Sequence, residues 1–263
     1  FSIVQKDGLG PEDRIALGPH TMQVFHRTDL VYENTYGYEP FRVKVCAAAY
    51  VLKSHVSAIG VYVNKSNPLT SISLRKLDAL FSAERRRGYP ANITTWGQLG
   101  LTGSWAERPI HIYGFYWRDD VTDYFRKLVM RDAPFKPTYM VPGGDMTRST
   151  PKVAAAIMSA MAQDPDGISF GNASYMTGQV KAIDLSNGGV ESPFSLSEVA
   201  SGRYPLQRYL YIYVNRKPGR PLEPLVKEFL RFVLSRQGQS LVSADHYLPL
   251  PALIDQQEME KLN

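Results

Sequence analysis

Three short stretches place polar groups where a small anion or polar solute can be held. Asp119 and Asp120 follow Arg118 and open an apolar-periodic run that reaches Met130. Carboxylates at a helix start complement the helix dipole and cap free N–H groups. Capping is therefore one reading; a cleft carboxylate that binds a cation or a polar ligand is the other. Arg118 carries a planar fork that suits an oxyanion, or pairs with a neighbouring aspartate at the surface. Trp117 offers a flat face for a ligand ring or sugar, or packs in a core. The second stretch, Thr147-Arg148-Ser149-Thr150, precedes Pro151. Hydroxyls, a guanidinium and unpaired helix-start N–H groups make an anion-like environment, with plain capping the alternative. The third is the turn Gly18-Pro19-His20-Thr21, where Thr21 donates a hydroxyl and His20 adds charge at lower pH.

Other chemistries are not supported. The histidines at 20, 26, 55, 111 and 246 have no metal-ligand spacing, and no nucleophile elbow, phosphate loop or dinucleotide fingerprint occurs. No metal, no cofactor and no catalysis are expected. Cys46 is the only cysteine, so no internal disulfide forms; its neighbours Val45 and Ala47 mark it as a small buried apolar residue. Net charge is +5, which permits anion or nucleic-acid binding without demonstrating it. The densest basic run, Arg85-Arg86-Arg87, lacks interleaved aromatics and reads as a solvated loop, so nucleic acid is not expected. No apolar run reaches the roughly 20 residues that span a bilayer. Phe1 to Lys6 does not have the layout of a signal peptide; a secretion signal removed on export is the expectation.

The elements that position these residues alternate. Short strands are expected over 13–19, 42–49, 56–64, 110–113, 167–170 and 180–185. Helices are expected over 21–36, 73–81 with Ser73 as its cap, 120–130 and 151–162. A long helix over 222–236 should turn Leu225, Phe229, Phe232 and Val233 inward and end near Gly238, before a short terminal helix. This is an α/β pattern. Ile59-Gly-Val-Tyr-Val-Asn-Lys65 and Leu210-Tyr-Ile-Tyr-Val-Asn-Arg216 are nearly the same strand, each halted by Asn, a cation and then Pro. Such a pair suggests a chain that leaves one lobe, builds a second and returns.

Several motifs occur in the order of a known family. Tyr36-Gly-Tyr-Glu-Pro40, Val61 to Leu69, Leu74 to Phe81, Ile93-Thr-Thr-Trp-Gly-Gln-Leu99, Asp166-Gly-Ile-Ser-Phe170, Val180-Lys-Ala-Ile183, Tyr204-Pro-Leu206, Phe229 to Gln239 and Tyr247-Leu-Pro-Leu250 all take part. The chain resembles the phosphate-binding proteins of bacterial ABC importers. The resemblance implies a two-lobed, type II periplasmic-binding fold with mixed sheets and a hinge. Lobe one would comprise 1–66 and 206–263, and lobe two 67–205. It implies a solute-binding protein, periplasmic or extracellular, expected to be a monomer, with a small anion or polar solute in the interlobe cleft and a transporter permease as partner. A binding, sensor or adhesion module of the same fold that does not transport is the alternative.

Two departures bear on the ligand. The family opens with a strand and a Gly/Ser/Thr-rich loop, whereas Phe1 to Gly10 is either a shortened version or a remainder. The family also places an Arg and a Ser-Gly-Thr run after the strand that here ends at Tyr113-Gly114. In this chain Phe115 takes the Arg position and Asp119-Asp120-Val121 the Ser-Gly-Thr run. Two carboxylates repel a phosphate dianion strongly in a low-dielectric site, so phosphate specificity by the family's usual route is not expected.

Overall fold

The computed structural model describes residues 4–5, 15–19, 27–50, 57–115, 120–142 and 151–263; the side chains of 4–5, 17–19, 27–30, 120 and 151 fall outside that description. The chain divides into two compact units. One comprises Phe1–Ala58, Val199–Gly202 and Gln207–Asn263; the other comprises Ile59–Glu198 and Arg203–Leu206.

The first unit is built on a four-stranded sheet in the order β1 (Val4–Gln5), β2 (Ile15–Pro19), β10 (Tyr209–Val214), β3 (Phe41–Ala47). β10 is antiparallel to both of its neighbours, with Ile15 opposite Val214 and Pro19 opposite Leu210 on one side. Its alternation sorts side chains onto two faces, as the two-residue period of a strand requires. Leu210, Ile212 and Val214 join one apolar cluster, while Tyr211 and Tyr213 join another with Ala16, Tyr32 and Tyr38. The helix α1 (Arg27–Tyr36) supplies Tyr32 to the second cluster and ends at Gly37, whose φ of 73° is the left-handed stop expected there.

The first cluster is covered by α6 (Pro224–Leu234), α7 (Arg236–Ala244) and α8 (Ala252–Glu260). The helix expected over 222–236 is α6, and after a break a further helix, α7, follows it. Ser235 turns to an extended conformation (φ −70°, ψ 160°) and caps α7 by accepting from the Gly238 N–H at 3.2 Å. The expected inward stripe is half corrected. Phe229 and Val233 pack against the core beside buried Val226, Leu230 and Leu234, whereas Leu225 and Phe232 are 60% and 44% exposed. α6 is apolar on two adjacent faces, so periodicity alone did not choose between them. Glu258 of α8, 2% exposed, pairs with Lys261 at 2.6 Å and accepts from the Lys44 N–H at 3.2 Å. This ties α8 to β3.

The second unit holds a sheet in the order β5 (Ser71–Ser73), β8 (Val180–Asn187), β4 (Ile59–Asn64), β7 (Gly167–Asn172), β6 (His111–Ile112), with β9 (Val190–Ser192) beside β8. β4 is antiparallel to both β7 and β8 and is buried along all six residues. That burial explains its unbroken apolar run. The twin strands therefore lie in different sheets, β4 wholly in the second unit and β10 wholly in the first. The unit limit falls at Ala58–Ile59, ahead of residue 66, because every ladder of β4 is made with β7 and β8.

The Asn that halts each twin strand has a separate purpose. Asn64 donates to the carbonyls of Met161 (2.8 Å) and Ala162 (3.1 Å) at the end of α4 (Pro151–Gln163). Asn215 accepts from the hydroxyls of Tyr32 (2.6 Å) and Tyr38 (3.1 Å). The expected amphipathic helix α2 (Leu74–Phe81) is present, with the Ser73 hydroxyl accepting from the Lys76 N–H. The helix α3 (Asp120–Met130) begins and ends where its periodicity placed it, and a short helix α5 (Leu196–Ala200) follows β9. The core of this unit is aromatic. Phe125 of α3 stacks on Phe170 of β7 at 3.9 Å, and Phe81 of α2 meets both edge-on.

Candidate functional site

The scaffold leads the chain into each candidate segment, and the segments themselves are largely beyond it. His20, Thr21, Trp117, Arg118, Asp119, Arg148, Ser149 and Thr150 lie outside the described residues. Asp120 is the first residue of α3, with its side chain also outside the description. The structure therefore brings none of these side chains together and separates none of them.

The supports are well defined. β2 delivers the chain to Pro19, immediately before His20, at the end of the strand opposite Leu210. In the second unit, β6 runs parallel to β7 and is followed by Tyr113 and Gly114, which bond to Ile168 (2.9 Å) and Met140 (3.0 Å). Asp164, one residue past α4, clamps this strand from below. It is 2.8 Å from the His111 Nδ1 and accepts from the Tyr113 hydroxyl at 2.9 Å. Burial and that bond to Asp164 push the Tyr113 phenol up to about 12. Residues 116–119 then lead into the first turn of α3, and residues 143–150 into the first turn of α4. Both helices pack on β7, and each begins with N–H groups that have no partner inside the helix. A helix start of this kind favours an anion or an acidic side chain.

Phe115 is placed without ambiguity. It is 1% exposed and lies 6.4 Å from the Phe170 ring; its carbonyl accepts from the Tyr139 hydroxyl at 2.7 Å. A Cβ on Gly171 would come within 3.0 Å of the Phe115 ring, so glycine there is what lets the ring settle. The position that the resemblance gave to an anion-binding Arg is part of an apolar core.

The basic run is less exposed than expected. The Arg87 guanidinium donates to the carbonyls of Val129 and Leu128 at the end of α3, and its N–H donates to buried Asp78 at 2.6 Å. Arg86 pairs with Glu84 at 2.7 Å. Arg87 thus caps a helix instead of facing solvent. Cys46 is buried, and burial pushes its thiol up to about 12, as befits an inert packing residue. Among the described residues no group of acids, histidines and cysteines has metal-holding geometry, and no helix is long and apolar enough to cross a membrane.

Comparison with known proteins decides the family. The description of the PBP superfamily domain matches residues 54–237. The phosphate-binding protein PstS of Pseudomonas aeruginosa is 32% identical over 248 residues, 94% of this chain and 71% of the relative. This chain belongs to the PBP superfamily. Protein SphX of Synechococcus elongatus is 29% identical over 201 residues, covering 74% of this chain and 54% of that protein. Solved structures carry the same fold at lower identity. The ABC-type phosphate transport receptor of Vibrio cholerae superposes with a TM-score of 0.57 at 18% identity, over 89% of this chain and 79% of that one. PstS of Borrelia burgdorferi gives 0.54 at 14% identity, over 90% and 79%. The mixed α/β, periplasmic-binding architecture expected from the motif order is that of these PBP-fold proteins.

Sequence reasoning passed over one group. Arg216 was read only as the cation that stops a strand. Its guanidinium lies 3.7 Å over the Phe41 ring, and its Nε is out of solvent with no hydrogen-bond partner among the described residues. The available signal was three cations, at 216, 217 and 220, just ahead of the proline that opens α6.

Proposed function

We propose that this chain is the solute-binding component of an ABC-type importer, derived from the phosphate-binding line of the PBP superfamily. It works outside the cytoplasm, binds without catalysis and hands a small anion or polar solute to a transporter permease. The observation that carries this reading is the 32% identity to a phosphate-binding protein over 94% of the chain. Ligand contacts are assigned to Thr21, His20, Trp117, Arg118, Asp119, Asp120, Arg148, Ser149 and Thr150, the segments at the exits of β2 and β6 and the start of α4.

The ligand is argued from Phe115. An apolar ring buried at the family's Arg position supplies no charge to an anion, and Asp119 and Asp120 add negative charge nearby. Phosphate affinity should therefore be weaker than micromolar, with Arg118 and Arg148 the cations that remain. Titration calorimetry with inorganic phosphate tests this, followed by a thermal-shift panel of oxyanions and small polar solutes. Weak phosphate binding together with stabilisation by one panel solute supports the proposal. Micromolar or tighter phosphate binding overturns the ligand argument. Silence across the whole panel overturns the transport role and favours a module of the same fold that binds no solute, which the buried Phe115 also fits.

A further inference from the structure

The first unit contains a cavity of about 680 Å³ where β10 ends and α6 begins. That size is in the range of small-molecule sites. Its walls are of two kinds. Among the described lining residues, Ile15, Val214 and Leu222 are apolar, while Arg216, Lys217 and Arg220 are cationic and Glu223 is anionic. Arg216 is held ready: its guanidinium rests 3.7 Å over the Phe41 ring, and its buried Nε meets no acceptor among the described residues. A buried donor left unpaired costs free energy, and an ionised acceptor removes that cost with a strong, charge-assisted bond. The start of α6 adds to this. Glu223 makes no side-chain cap, and Pro224 has no N–H, so the next N–H groups, of Leu225 and Val226, have no partner within the helix.

Within the first unit, the cavity sits at one end of the β2–β10 ladder. Ile15 and Val214 are paired at one end of the β2–β10 ladder, and Pro19 and Leu210 at the other. His20 and Thr21 follow Pro19. Four residues of strand, roughly 13 Å, separate the two ends.

We propose that this cavity is a binding site for a small organic anion with an apolar body. The carboxylate would meet Arg216 and the first turn of α6, and the hydrocarbon would lie against Ile15, Val214 and Leu222. Inorganic phosphate is the wrong shape of ligand here. It would fill little of the volume and set a fully hydrated dianion against an apolar wall. The inference is independent of the solute-binding proposal, since it uses none of that site's residues.

Octanoate is a suitable probe, titrated by calorimetry into the full chain, into Arg216→Gln and into the double variant Lys217→Gln/Arg220→Gln. Saturable one-to-one binding to the unaltered chain is expected. Arg216→Gln should weaken it about tenfold or more, the loss of a charge-assisted bond. The double variant should weaken it about fivefold through exposed charge alone. If Arg216→Gln fails to fold, the double variant decides, because both of its residues are exposed. Equimolar phosphate should leave octanoate binding unchanged. Absence of saturable binding, unchanged affinity in the folded variants, or displacement by equimolar phosphate each overturns the proposal.

Discussion

Phe115 shows what a one-residue departure means once its surroundings are known. The sequence displays the change from the family's Arg but not its depth, because Phe115 follows a two-residue strand too short to show alternation. In the structure the ring belongs to an aromatic group centred on Phe170, with Phe125, Phe81, Phe135 and Tyr139 around it. Restoring the Arg should therefore not restore an anion site. Phe115→Arg would put a guanidinium among aromatic rings, where 1% of the side chain meets solvent. The expected cost is roughly 3–5 kcal/mol, the scale of an uncompensated buried charge. Urea unfolding followed by tryptophan fluorescence should show it, and phosphate titration should show no gain. A variant as stable as the parent that binds phosphate tenfold better would mean that position 115 faces the ligand after all. The other candidate residues were legible as types, such as hydroxyls and cations at helix starts. Whether they converge was not legible, since they sit in connections whose course no residue period dictates.

At the scale of elements, legibility followed the strength of a local signal. α3 was read to the residue because Val121, Tyr124, Phe125 and Leu128 recur at helical spacing, and Val121 and Phe125 of that set are buried. α2 was announced by its Ser73 cap. The α6–α7 pair misled because exposed Leu225 and Phe232 are as apolar as buried Val226, Leu230 and Leu234, with half-buried Phe229 and Val233 between the two stripes. Burial of one stripe was settled by contact with β3 and β10, which local periodicity does not contain. The break at Ser235 did have a signal, a serine three residues ahead of Gly238 in the manner of an N-cap. Its hydroxyl accepts from the Gly238 N–H and donates to the Phe232 carbonyl at 2.6 Å, satisfying groups on both sides of the break. Ser235→Ala should cost about 1 kcal/mol. Gly238→Ala should cost more, about 1–3 kcal/mol, although alanine is the better helix former. A Cβ there would stand 2.3 Å from the Phe232 carbonyl oxygen and 2.5 Å from that of Val233, rigid atoms that move only with the helices. Paired urea melts would check the order. Equal or reversed losses would show that the junction is held by something other than this cap and close approach.

At the scale of the molecule, the twin strands suggest a chain that departs and returns, but they do not specify which strands each will pair with. Those partners determine how the protein can fold. The first unit is completed only when β10, from late in the chain, inserts between β2 and β3, from near its start. Closing so long a loop costs conformational entropy that the pairing must repay. Folding of the second unit removes most of that cost. Its own first and last segments are joined, with the Ile59 N–H donating to the Leu206 carbonyl at 3.2 Å. Once that bond and its sheet exist, Ala58 and Gln207 leave the unit as neighbours, and β3 and β10 are separated by a short path. The second unit should therefore form first. The chain carries its own reporters for this order, because all three tryptophans, Trp96, Trp105 and Trp117, fall within the limits of the second unit and the only cysteine, Cys46, is buried in the first. On dilution from urea, tryptophan fluorescence should reach its native value before Cys46 becomes protected from a thiol reagent delivered in pulses. Protection of Cys46 that coincides with or precedes the fluorescence change would show that the first unit closes its long loop unaided, and the argument from the joined ends would fail.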